Sequence, residues 1–95
     1  MIKVETIYLD KYAKLGSAAT LTYLSICRHA RNNICSLSME GIAQEHGINR
    51  DTVSKGLKLL QEYNIITINK RREQSGNYRQ NEYYLIPPTK WRGLK

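Results

Sequence analysis

Acidic residues are scarce in this 95-residue chain: 8 Asp and Glu stand against 15 Lys and Arg, leaving a formal net charge of +7. A surplus of that size on so short a chain attracts a polyanion, nucleic acid first, an acidic membrane face or acidic protein after it. Long apolar runs are missing as well. The longest uncharged stretch, Leu15 to Cys27, contains Ser and Thr and ends at Arg28, well short of the ~20 apolar residues of a membrane span. A transmembrane helix is therefore not expected, and a membrane-surface role ranks behind nucleic acid because the basic residues are spread along the chain rather than lining one amphipathic helix. Near the N-terminus Lys3, Glu5 and Asp10 interrupt any apolar core of a secretory signal, so a cytoplasmic location is expected. Two cysteines, Cys27 and Cys35, are too few for the disulfide framework of a small secreted domain and are expected as reduced thiols.

Catalytic signatures are absent too. No Gly-rich phosphate loop occurs, and neither histidine has an obvious nucleophile and carboxylate partner. Cys27, His29, Cys35 and His46 are metal ligands by type, but Cys27 and His29 lie two apart in a helical stretch and would point about 200° apart. No C-x2-C or H-x3-H pair is present, so neither a metal nor any other cofactor is expected. A chain of this length buries only about two-thirds of its unfolded surface, which leaves one core and no deep cavity beside it. The expectation is one non-enzymatic domain without a small-molecule substrate. With 41% hydrophobic and 24% charged residues, it has the composition of a folded domain.

The periodicity of the chain predicts its elements. Residues 1–14 alternate Ile2, Val4, Ile7 and Leu9 with polar residues and read as a strand or extended arm. From Ser17, a plausible N-cap, to Arg31, Leu21, Leu24 and Cys27 form a helical stripe widened by Tyr23, Ile26 and Ala30. Asn32-Asn33 signals a turn, Ile34 to Leu37 a short extended piece, and Ser38 a new start. A second helix follows over Met39 to His46, its buried stripe Met39, Ile42, Ala43 and His46, ended by Gly47. A third runs from Arg50 to Tyr63 with Asn49 as N-cap and Val53, Gly56, Leu57 and Leu60 on its core face. Asn64 stops it. Ile66 to Asn69 then reads as a strand, and Glu82 to Ile86 as its antiparallel partner, stopped by Pro87-Pro88. Between them lies the polar, basic segment KRREQSGNYRQN.

This order is that of an α+β winged helix-turn-helix, a three-helix core with a C-terminal β-hairpin wing. The expected layout is an arm over 1–14, core and wing over 15–86 and a basic tail over 87–95. Ala43, Gly47 and Val53 have the helix-turn-helix spacing: a small residue where two helices cross, a glycine for the turn, and an apolar residue that with Ile48 fills the wedge. Gly56 costs the helix ~1 kcal/mol relative to alanine, which implies close packing there.

At 100° per residue, the outward face of the third helix carries Asp51, Ser54, Lys55, Lys58 and Glu62, with Arg50 and Thr52 at the flanks of its first turn. In helix-turn-helix docking the N-terminal residues of this helix meet base edges and later ones meet phosphate. Asn49, Arg50, Thr52, Ser54 and Lys55 are accordingly assigned to bases or adjacent phosphates and Lys58 to phosphate, while Asp51 either accepts from a cytosine amine or caps its own helix. In the wing, Lys70, Arg71, Arg72 and Arg79 face one acidic residue, Glu73, and suit backbone or minor-groove contact, with Tyr78 placed to stack or bond a phosphate. From Asn49 to Lys95 there are 10 basic and 4 acidic residues, against 5 and 4 from Met1 to Ile48. The charge thus lies where DNA contact is expected.

The segment from Leu15 to about Ile86, with ATLTYLSICRHA, then SMEGIAQEHGINRDTVSKGLKLLQEYNIITI and a polar wing, resembles the winged-helix N-terminal domains of phage and plasmid replication initiators and, more loosely, small bacterial winged-helix regulators. The resemblance covers about three-quarters of the chain. It implies double-stranded DNA binding, at repeated origin sites or in transcription regulation, as a homodimer. The N-terminal arm, the first helix and the last strand with its tyrosines and Trp91 are the expected dimer surfaces. The alternative function is a winged-helix protein-interaction module within a larger assembly.

Overall fold

The computed structural model describes residues 4–70 and 81–93, Lys70 by its backbone alone. A π-helical turn (Tyr8–Tyr12) runs into a 3-10 turn (Ala13–Leu15), and then follow α1 (Ser17–His29), β1 (Ile34–Leu37), α2 (Met39–His46), α3 (Arg50–Glu62), β2 (Ile66–Lys70), β3 (Asn81–Leu85) and a 3-10 turn (Pro88–Lys90). This is the α+β architecture expected, including the short extended piece after α1, which is a strand. β3 lies between β1 and β2, antiparallel to both.

The connections are dictated locally. Asn32 and Asn33 both take positive φ, 53° and 66°, and Arg31 and Ile34 exchange backbone hydrogen bonds of 2.8 and 3.0 Å across them. That is the two-residue turn that asparagine tolerates better than other non-glycine residues. Ser38 Oγ caps α2 by accepting from the Gly41 amide at 3.0 Å. Gly47, at φ 63°, ends the helix in the left-handed conformation. Asn49 Oδ1 then caps α3 through the Thr52 amide at 2.8 Å. Along α3 Val53 and Leu60 are fully buried and Leu57 nearly so, as the stripe predicted.

In the sheet, Cys35, Tyr83 and Ile68 share one row by register and turn inward, with Cys35 and Tyr83 fully buried. The adjacent row, Ile34, Tyr84 and Thr67, faces outward. β3 begins and ends one residue earlier than expected, although the Ile86 amide still bonds the Ile65 carbonyl at 3.0 Å before Pro87 intervenes.

Three expectations are corrected. The N-terminal segment is helical from Thr6 to Leu15, neither strand nor extended arm. Its buried residues are Tyr8 and Tyr12, four apart and so on one helical face, whereas Leu9, which the alternating pattern grouped with Ile7, is exposed. In α1 the N-cap is Gly16, not Ser17, and the buried face is rotated from the stripe drawn on leucines. Ala19, Thr22, Tyr23, Ser25, Ile26 and Cys27 are buried, while Leu21 and Leu24 are half-buried. The cause is the crossing with α3. A Cβ placed on Gly56 would lie 2.5 Å from the Ala18 carbonyl oxygen and 2.8 Å from Thr22 Oγ1, so the two helices approach through small residues. Thr22 Oγ1, buried at that crossing, has no hydrogen-bond partner among the described residues.

The third correction concerns the aromatic residues assigned to an exposed interface. Trp91 is 8% exposed and Tyr83 fully buried. Tyr8 stacks on Tyr23 with ring centroids 4.2 Å apart, and Trp91 stands edge-on to Tyr8, Tyr12 and Tyr23 at 6.3, 5.2 and 6.1 Å. Polar ends are satisfied: Trp91 Nε1 donates to the Ile86 carbonyl at 2.7 Å and the Tyr12 hydroxyl to the Arg92 carbonyl at 2.8 Å. Amphipathic aromatics with paired polar ends are stable inside a core, and here they bind the N-terminal turns to the segment after β3.

Candidate nucleic-acid interface

α3 is anchored by its buried face and offers the opposite one. Asp51, Lys55, Lys58 and Glu62 are exposed and recur at the three- and four-residue intervals of one helical face. Asn49 and Arg50 are exposed at its N-terminus, and Thr52 and Ser54 are half-buried at its flanks. Asn49 and Thr52 are in direct contact: the Asn49 carbonyl oxygen accepts from both the Thr52 amide and the Thr52 hydroxyl, at 2.8 and 2.9 Å. Asp51 sits in the first turn, where a negative charge favours the helix dipole, but the hydrogen-bonding cap is Asn49. Of the wing, Lys70 ends β2, and Arg71, Arg72, Tyr78 and Arg79 lie outside the described residues.

Glu40 was not legible as part of this surface. It lies in the first turn of α2, and its carboxylate comes within 3.8 Å of Arg50 Nη1, with side chains 62% and 65% exposed. Such a pair is weak in water, so a phosphate competes readily for Arg50. Only the folded crossing of α2 and α3 brings these two together, and no local pattern marks them.

The histidines weighed as metal ligands have other partners. His29 Nε2 bonds Glu45 Oε2 at 2.8 Å and Arg28 reaches Glu45 Oε1 at 3.0 Å, while His46 Nε2 is hydrogen-bonded to Ser25 Oγ on α1. Among the described residues no group of three or more His, Cys, Asp or Glu is arranged to hold a metal. Burial pushes both the Cys27 and Cys35 thiols up to about 11, consistent with inert core side chains. No described helix is long and apolar enough to cross a membrane.

Together these contacts fix α2 against α1 and thereby aim the α2–α3 pair. At Glu45, partial burial opposes the charge, but the His29 hydrogen bond and the charges of His29, Arg28 and His46 outweigh it, holding the carboxyl below its ordinary value. A carboxylate depressed in the folded state stabilises it above the ordinary carboxylate range, and that contribution disappears as pH falls through the depressed value. Glu45→Gln is therefore expected to cost about 0.5–1 kcal/mol at pH 6 and less at pH 2.5, as read by urea denaturation. An equal penalty at both would refute the charge-based account.

Neither a curated protein nor a solved structure matches the chain. A family model does: the helix-turn-helix domain matches residues 13–66, from the 3-10 turn before α1 to the first residue of β2 and more than half of the chain. The chain belongs to the helix-turn-helix domain family, and with β2 and β3 following the third helix it is a winged helix-turn-helix DNA-binding domain.

Proposed function

We propose that the domain binds double-stranded DNA sequence-specifically, with α3 in the major groove and the wing on the backbone or in the minor groove. The observation that carries this reading is the exposed face of α3, bearing Arg50, Lys55 and Lys58, on a helix-turn-helix whose other face is buried. Asn49, Arg50, Thr52, Ser54 and Lys55 address base edges or adjacent phosphates. Lys58, Lys70, Arg71, Arg72 and Arg79 supply phosphate or minor-groove contacts, with Tyr78 beside them. The role we favour is phage or plasmid replication initiation or transcription regulation in the cytoplasm, with the domain acting as a homodimer on repeated or palindromic sites. We assign residues 1–95 to one domain on the layout read from the sequence.

Titration of labelled duplex at several salt concentrations tests this. Neutralising on the order of five to eight phosphates gives a slope of about −4.5 to −7 for log affinity against log salt. Replacing Lys55 and Lys58 together with alanine should flatten that slope by up to about 1.8. Failure to retain any duplex at low salt would sink the reading.

A further inference from the structure

The bond between Asn49 and Thr52 restricts what each side chain has left to offer. A backbone N–H only donates, so the Asn49 atom 2.8 Å from the Thr52 amide is the carbonyl oxygen, which fixes which way the side-chain amide points. An amide oxygen only accepts, so the Thr52 hydroxyl, 2.9 Å away, has its proton committed to Asn49. Two complementary groups remain. The Asn49 amide nitrogen keeps its donors, with no partner among the described residues. Thr52 Oγ1 keeps lone pairs and has no proton to give. A free hydroxyl plays either part and discriminates little between bases; this one is an acceptor.

We propose that Asn49 and Thr52 together read a single adenine in the major groove, the Asn49 amide donating to N7 and Thr52 Oγ1 accepting from the N6 amine. This assignment rests on the DNA-binding reading above and names the base that this part of the site selects. Within a single base, only adenine presents an acceptor beside a donor on its major-groove edge. Guanine presents two acceptors and would set O6 against the lone pairs of Thr52. Thymine offers an acceptor and a methyl group, and cytosine only a donor. Because the cap that starts α3 also holds the reading geometry, neither side chain has to be ordered by the DNA, and that ordering cost is absent on binding.

The test selects bound sequences from a random duplex pool with the full chain and with Thr52→Val, Thr52→Ser and Asn49→Asp. Valine keeps the shape of threonine and leaves the backbone cap in place. Aspartate keeps the capping oxygen and replaces the donating amide with an acceptor. The expected wild-type motif has one position at which adenine is preferred by roughly 5- to 150-fold. Thr52→Val and Asn49→Asp lose the preference at that same position, and Thr52→Ser retains it. On a fixed duplex, purine, which lacks the 6-amino group, and 7-deazaadenine, which lacks N7, should each weaken the wild type. Thr52→Val should be indifferent to the first and Asn49→Asp to the second. A motif without such an adenine, or one unchanged by Thr52→Val, overturns the assignment and leaves DNA binding standing. A wild-type chain that retains no duplex at low salt overturns the underlying reading, and this one with it.

Discussion

Alanine at position 56 is expected to destabilise the folded domain by about 2 kcal/mol, even though alanine is favoured over glycine inside a helix by ~1 kcal/mol. The sign follows from what the new methyl would meet. Its nearest neighbours are the Ala18 carbonyl oxygen at 2.5 Å and carbonyl carbon at 2.8 Å, which are backbone atoms of α1 and cannot rotate away. The helices must separate, and the buried contacts of Val53, Leu57 and Leu60 loosen with them. Gly41 on α2 provides the internal comparison. A Cβ there meets the end of the Leu37 side chain at 3.1 Å, which can shift, so Gly41→Ala should change stability by less than about 1 kcal/mol. Urea denaturation of the two variants checks the order. Gly56→Ala as stable as the wild type would show that α1 and α3 do not cross as closely as described.

A larger loss is expected at the other end of the core. Trp91→Ala should cost about 3–5 kcal/mol, a large part of the roughly 5–14 kcal/mol that holds a domain of this length together. The indole is nearly fully buried, stands edge-on to three tyrosine rings and donates to the Ile86 carbonyl. Its removal leaves a cavity between the N-terminal turns and α1. Trp91→Phe keeps a ring there and loses the hydrogen bond, so an intermediate loss of about 1–2 kcal/mol is expected. Near-UV circular dichroism of the remaining tyrosines, read beside the denaturation midpoint, separates loss of aromatic packing from general unfolding. A cost for Trp91→Ala below about 1 kcal/mol would mean that the N-terminal turns add little to the fold.

The helix-turn-helix was legible because its signals are local. Ser38, Gly47 and Asn49 act on neighbours within four residues, and Val53, Leu57 and Leu60 repeat at helical spacing, so the bounds of α2 matched and those of α3 differed by one residue. Where the reading failed, the deciding partner was distant in sequence. Tyr8 and Tyr12 are buried by Tyr23 and Trp91, which no window around residue 10 contains, and a pattern of alternating apolar residues was read there as a strand. In α1 the small residues facing Gly56 carry little hydrophobic signal, so the leucines drew the stripe to the wrong angle. Cys35 is an inward-facing strand residue paired with Tyr83, and that pairing spans about half of the chain.

At the interface, the 100° rule located Asp51, Lys55, Lys58 and Glu62 on the exposed face of α3, but it also put Ser54 there, which is half-buried. The direction of the Asn49–Thr52 bond and the approach of Glu40 to Arg50 required coordinates, because each depends on a side-chain conformation or a helix crossing. Arg71, Arg72, Tyr78 and Arg79 remain assignments made from charge and composition.

The sheet order β1-β3-β2 has a consequence for the order in which the domain can be assembled on a ribosome. Synthesis is directional, and the middle strand is the last of the three to be made. When residues 34–70 have emerged, β1 and β2 are both present, yet neither has its neighbour. The helices can associate at that stage, but the sheet cannot begin until residues 81–85 arrive, and Trp91 follows later still. A nascent chain arrested before β3 should therefore carry two unpaired strands, and β3 should close both ladders in a single late step.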